Sequence, residues 1–198
     1  TLPVLEPGLP MTVTDIAKTQ GLRAGACATR VLVDVRESLT PNRHLLLGSL
    51  AHDILQYLAE KGVTGDARRA FREAFLRSFT NNRIAALAAG LDDADAQELQ
   101  RDVATHFQNL TRWLQDDGPR GKIAEALRVS PTYGVEGRID LASLREGVLE
   151  IVELKTGGFQ SSEHERQLRA YSLLWGEVAA SLDARVRSSL VYSKKGDV

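Results

Sequence analysis

Val135-Glu136-Gly137-Arg138-Ile139-Asp140-Leu141-Ala142-Ser143-Leu144-Arg145-Glu146-Gly147-Val148-Leu149-Glu150-Ile151-Val152-Glu153-Leu154-Lys155-Thr156-Gly157 is the stretch on which the fold turns. Two short runs, 135–144 and 148–155, are apolar or alternating and meet at Arg145-Glu146-Gly147, which predicts a β-hairpin. Successive side chains of a strand point to opposite faces, so Leu149, Ile151, Glu153 and Lys155 share one face. That face starts apolar and ends in a carboxylate and an ammonium. Buried charge is costly unless it is paired or bound to a metal, so the pattern calls for a partner such as a divalent cation. The plain alternative is a solvent-facing hairpin with an ordinary Glu and Lys pair, since a three-residue motif matches easily by accident.

Downstream of the hairpin, Ser162 to about Ala180 reads as a helix whose start fits a capping box of Ser162 with Glu165. Gln167 and Tyr171 are four positions apart and fall in line with Leu174 and Val178, so a glutamine occupies a core-facing row. Both side chains are candidates to steer a phosphate or base. Val186 to Ser193 reads as a further strand.

Upstream, three helices are expected. The first runs from Pro41-Asn42 to about Glu60, with Leu45, Leu46, Leu50, Ile54, Leu55 and Leu58 at helical spacing; the second from Asp66 to about Thr80; the third from about Asp93 to Gln115. His52 lies in the middle of the first, with Gly48 one turn before it, where a bare backbone permits another element to come close. Asp53 points about 100° away around the helix and is read as solvated. Residues 1–11 are an extended lead-in, Thr14-Asp15-Ile16 a helix start, and Arg30-Val31-Leu32-Val33 fits helix or strand equally.

A chain of 198 residues with 43% hydrophobic content can bury one real core and is short for two, so residues 12–198 are expected to form one domain, an α/β architecture with a helical N-terminal half. The chain starts at Thr1 and is expected to be part of a longer protein. It contains neither a run long and apolar enough to span a membrane nor a signal peptide. The single cysteine, Cys27, cannot form an internal disulfide. Usage rich in Ala, Arg, Leu and Asp suggests a high-GC genome and hence a bacterial cytoplasm, or the nucleus if the source is eukaryotic. A formal net charge of -1 excludes a uniformly basic nucleic-acid binder but not a local basic groove.

Hydrolysis of a phosphodiester needs a nucleophilic water, charge stabilisation on the phosphate oxygens and relief for the leaving oxygen. Carboxylate-held Mg²⁺ or Mn²⁺ can supply all three. A tight hairpin lets Asp140 and Glu153 converge on one ion, with the backbone carbonyl of Leu154 as a third oxygen; Lys155 then orients the water or neutralises the phosphate. Arg138, Arg166 and Arg169 lie near in sequence and are candidate DNA contacts.

The series His52, Gly137-x-x-Asp140, Glu153-x-Lys155 and Gln167-x-x-x-Tyr171 resembles the PD-(D/E)XK nuclease superfamily in its RecB-like branch. Ser130 to Asp140, Glu153-Leu154-Lys155-Thr156-Gly157 and Glu163-His164-x-x-Gln167 are similar to the nuclease domain of the DNA replication helicase/nuclease family, which trims single-stranded flaps and resected ends. The resemblance implies a restriction-endonuclease-like core, a central mixed β-sheet flanked by helices. It further implies His52, Asp140 and Glu153 as metal ligands, Lys155 as catalytic base-positioner or charge stabiliser, and Gln167 and Tyr171 as support for the site. Single-stranded DNA is then the expected substrate and a helicase domain or subunit the expected partner. Cys27 stands where that family places the first of four iron–sulfur ligands; the other three are not in this chain, so either a cluster draws its remaining cysteines from outside it or Cys27 serves only as a small buried apolar residue. The CRISPR-associated RecB-type exonucleases share the motif series and are the alternative within the class. A non-cutting DNA-binding scaffold with a nuclease fold is the alternative outside it.

Overall fold

Asn42 starts the first helix, α1 (Arg43–Lys61), by accepting the His44 amide at 2.8 Å, and Gly62 ends it at a φ of 72°. Leu46, Leu47, Leu50, Ala51, Ile54, Leu55 and Leu58 repeat every three or four residues and form its buried stripe. Against that stripe pack α2 (Ala67–Ser78), capped by Asp66, α3 (Asn82–Ala89) and α4 (Asp93–Asp116), which contributes Leu99, Val103, Phe107, Leu110 and Trp113. Each fully buried leucine of this layer contributes about 1.5–3 kcal/mol of hydrophobic stabilisation. The computed structural model describes residues 11–14, 42–62, 66–116, 118, 122–158 and 161–195. Cys27, the helix start at Asp15-Ile16 and the run 30–33 lie outside them.

The sheet follows: β2 (Lys122–Ser130), β3 (Val135–Arg145), β4 (Val148–Lys155) and β5 (Arg185–Tyr192). β2, β3 and β4 are antiparallel neighbours, and β5 pairs parallel to β4 through the crossover helix α5 (Ser162–Ser181). Glu146 and Gly147 both take positive φ, 51° and 70°, as a two-residue hairpin turn of the primed kind demands. A short strand, β1 (Met11–Thr12), runs parallel to β3 at Val135 and Glu136. The sheet is mixed and helices cover both faces, which is a restriction-endonuclease-like α/β core. Leu141, Val152, Leu154 and Val191 face α1 to α4; Ile139, Ala142, Leu149 and Ile151 face Tyr171, Leu174, Trp175 and Ala179 of α5. Among the described residues no helix is long and apolar enough to cross a membrane.

Four expectations are corrected. The end of the lead-in is a sheet strand, because the open edge of β3 beyond its contact with β4 offers Met11 and Thr12 a partner. Helix α3, alanine-rich and weakly amphipathic, was not expected; Ile84 and Leu87 bury it. The cap of α5 is Ser161, whose hydroxyl accepts the His164 amide at 3.2 Å, not Ser162. Gly48 admits no close approach: a Cβ there would find Thr156 Oγ1 at 3.8 Å, which is ordinary contact.

Candidate active site

Register and polar side chains together build the site at the open end of the β3–β4 hairpin. The ladder pairs Leu141 with Val152 and stops; one step further it would set Asp140 against Glu153. Instead the Asp140 carboxylate takes the place of a strand, its Oδ2 accepting the Leu154 amide at 2.5 Å. Its other oxygen, Oδ1, lies 3.3 Å from His52 Nε2. In an extended strand a residue's N–H and C=O leave on the same side, so the Leu154 carbonyl faces the same gap. Asp140 is 8% and Glu153 5% exposed, so these carboxylates are in the protein rather than on it.

His52 is fixed from behind. Its Nδ1–H donates to the Gly48 carbonyl at 2.8 Å, which leaves Nε2 as the atom that meets Asp140. Burial by itself would pull this imidazole down, but the charge and hydrogen bond of Asp140, the Gly48 carbonyl and the charge of Glu153 outweigh it and push the pKa up to about 9. Glu153 is pushed up to about 7, first by burial and then by the nearby Asp140 charge, with Lys155 and His52 pulling the other way.

Lys155, on the face shared with Glu153, donates from Nζ to Glu153 Oε1 at 2.8 Å and to Gln167 Oε1 at 2.6 Å. Gln167 closes the loop by donating Nε2 to Glu153 Oε1 at 2.9 Å. The glutamine in the core-facing row of α5 therefore bridges the two charges of β4. Tyr171 donates its hydroxyl to the Arg138 carbonyl at 2.7 Å; burial, then the Glu153 charge, raises its pKa and keeps it protonated. Gly137 makes room for that ring: a Cβ there would lie 2.7 Å from Tyr171 Cε1 and from Val13 Cγ2. Gln167 and Tyr171 thus spend these polar atoms on Lys155, Glu153 and the Arg138 carbonyl.

A cleft of about 490 Å³ opens beside Asp140, lined among others by His52, Asp53, Asn81, Glu125 and Arg138. Asp53 is not simply solvated: it is partly buried on this cleft, and burial, the largest cause, raises its pKa. Arg138 stands at the cleft and is exposed, whereas Arg166 and Arg169 line a different cavity of about 280 Å³ with Tyr133 and Leu173. Sequence reasoning missed Glu125. The available signal was a glutamate interrupting the alternating apolar series Ile123, Leu127 and Val129, the same kind of break that exposed Glu153. It also missed a clamp behind Lys155. The buried His106 of α4 meets Ser193 Oγ at 2.7 Å, and Ser193 donates its amide to the Lys155 carbonyl at 3.0 Å.

The donor set of imidazole nitrogen, two carboxylates and a carbonyl suits a hard divalent ion such as Mg²⁺ or Mn²⁺. With Nδ1–H tied to a backbone carbonyl, Nε2 is the ring atom turned to Asp140 and, once it has given up its proton, the one an ion there would meet. Among the described residues, however, no three His, Cys, Asp or Glu side chains form a ready-made cage. Glu153 is turned to Lys155 and Gln167, and would have to share its carboxylate with an ion.

No curated protein and no solved structure matches the chain. A family model does, that of the PD-(D/E)XK nuclease superfamily, over residues 25–197. That span contains the whole hairpin, α1 with His52 and α5 with Gln167 and Tyr171. The chain belongs to the PD-(D/E)XK nuclease superfamily.

Proposed function

We propose that this chain is a divalent-metal-dependent deoxyribonuclease that hydrolyses phosphodiester bonds of single-stranded DNA, flaps or tails. The observation that carries the reading is the junction at the open hairpin end, where Asp140 turns one oxygen to His52 and the Glu153–Lys155–Gln167 triangle sits across from it. PD-(D/E)XK nucleases generally use Mg²⁺ or Mn²⁺. His52, Asp140, Glu153 and the Leu154 carbonyl would hold the ion. When bound, it supplies Lewis acidity that draws charge from the phosphate and makes the attacking water easier to deprotonate.

The other steps belong to the chain's own groups. The Lys155 ammonium, held by two acceptors, is preset to orient the water or to meet negative charge that grows on the phosphate oxygens. Gln167 holds Glu153 and Lys155 at a fixed separation, and Tyr171 holds β3 at Arg138. Arg138, on the cleft, is the arginine best placed for a backbone phosphate. The single-strand preference and a helicase partner rest on the likeness of the motif series to the helicase/nuclease family.

Labelled single-stranded DNA incubated with the chain and Mn²⁺ is the test. Cleavage is expected from the parent protein and a loss of roughly 10³-fold from Glu153→Ala and Lys155→Ala, the scale of removing a preorganised electrostatic group. Cleavage that survives both substitutions rules the reading out. Duplex and RNA substrates run alongside decide the preference.

A further inference from the structure

Glu125 lies in the middle of β2 at a φ of 51°, in the left-handed region that residues with side chains rarely adopt. The register is unbroken on either side of it: Ala124 pairs with Leu141 and Ala126 with Ile139. Glu125 and Asp140, which should form the pair between them, do not. The twist removes Glu125 from the outward series of its strand, where Ile123, Leu127 and Val129 are exposed, and turns it partly buried onto the cleft of His52 and Asp140. Such a conformation persists where its surroundings over-determine it, and it clusters at functional sites.

On that cleft Glu125 lies 3.6 Å from the Arg138 guanidinium. Arg138 is thereby held at both ends, its carbonyl by the Tyr171 hydroxyl and its side chain by Glu125. The cleft also holds Asp53 and Asp140, the latter two residues along from Arg138. Resting on the nuclease reading, we propose that Glu125 is a positioning residue: it presents Arg138 to a backbone phosphate of the bound nucleic-acid strand.

The test is steady-state cleavage of a labelled single-stranded oligonucleotide in Mn²⁺ by the parent chain, Glu125→Gln, Glu125→Gly, Arg138→Gln and the Glu125→Gln/Arg138→Gln double variant, with Mn²⁺ titrations of each. KM is expected to rise about five- to tenfold in Glu125→Gln and Arg138→Gln and no further in the double, as for groups that act as one unit, with kcat within about twofold. Mn²⁺ affinity should not move. Glu125→Gly should show the same KM rise while melting no lower than the parent, because glycine accepts the φ of 51° without strain. A Glu125→Gln chain with the parent's KM, or additive effects in the double, overturns the proposal. So does a fall in kcat with weaker Mn²⁺ binding, which would make Glu125 a ligand. A parent chain that neither binds nor cuts removes the nuclease reading and this inference with it; a parent that cuts beside an unchanged Glu125→Gln removes this inference alone.

Discussion

The two ends of one hairpin obey different rules. At the turn end, residues 141–145 and 148–152 pair rung by rung, and Leu149 and Ile151 bury apolar surface against α5. At the open end the rungs stop, and side chains do what backbone did: Asp140 takes the Leu154 amide, and Lys155 and Gln167 take Glu153. The closed half is stabilised by burial and defines where the strands are. The open half holds carboxylates that burial alone would reject, at positions the closed half dictates. Stability and chemistry should therefore separate along a few residues of β4.

The largest expected effect is that separation. Ile151→Ala should cost about 3 kcal/mol of stability by denaturant unfolding and leave the rate per folded molecule unchanged. Glu153→Ala should do the opposite, removing cleavage by roughly 10³-fold with unfolding free energy within about 1 kcal/mol of the parent, since it deletes a carboxyl that burial disfavours. Equal losses of stability in the two variants would erase the distinction.

Next is Gly137→Ala. The added Cβ would overlap Tyr171 and Val13, so a loss of about 2 kcal/mol in chemical denaturation is expected, together with slower cleavage as Tyr171 is pushed from the Arg138 carbonyl. Stability unchanged by this methyl would mean that α5 can slide, and that Tyr171 does not brace β3.

How much of this was legible in the sequence follows the same divide. The hairpin, Asp140, Glu153, Lys155 and the Gln167–Tyr171 face could be read because each is a local break in a short periodic pattern. His52 stood out because a histidine sat in a leucine-rich helix. What stayed hidden depends on contacts between distant segments or on backbone twist. His106 and Ser193 are 87 residues apart in sequence yet in contact. β1 exists because β3 has a free edge, and the turn at Glu125 is a φ value that composition does not encode. The division of the three arginines, with Arg138 on the cleft and Arg166 and Arg169 elsewhere, also needed the fold.

A smaller effect is the pH dependence of the metal-free protein. His52, raised from 6.5 to about 9, contributes stability that is complete below about pH 6.5 and is lost as pH rises through about 9. Glu153, raised from 4.5 to about 7, is neutral in acid and becomes a buried charge as pH climbs between those values, which again lowers stability. Melting temperature in chelator should therefore fall steadily from pH 4.5 to 9. The stabilisation gained on adding Mn²⁺ should grow over the same range, because ligands bind deprotonated. Melting curves that are flat in pH for the parent and for His52→Ala alike would place His52 away from the carboxylates.

The central claim is that Asp140 and Glu153 meet across two parting strands to grip one hard cation. Calorimetric titration of Mn²⁺ into the parent chain and into Asp140→Asn, both shown to be folded, tests it most directly. One ion per chain is expected for the parent, with affinity lowered roughly 100-fold by the substitution, the scale of a damaged coordination shell. No uptake by the parent, or uptake indifferent to Asp140→Asn, would contradict it.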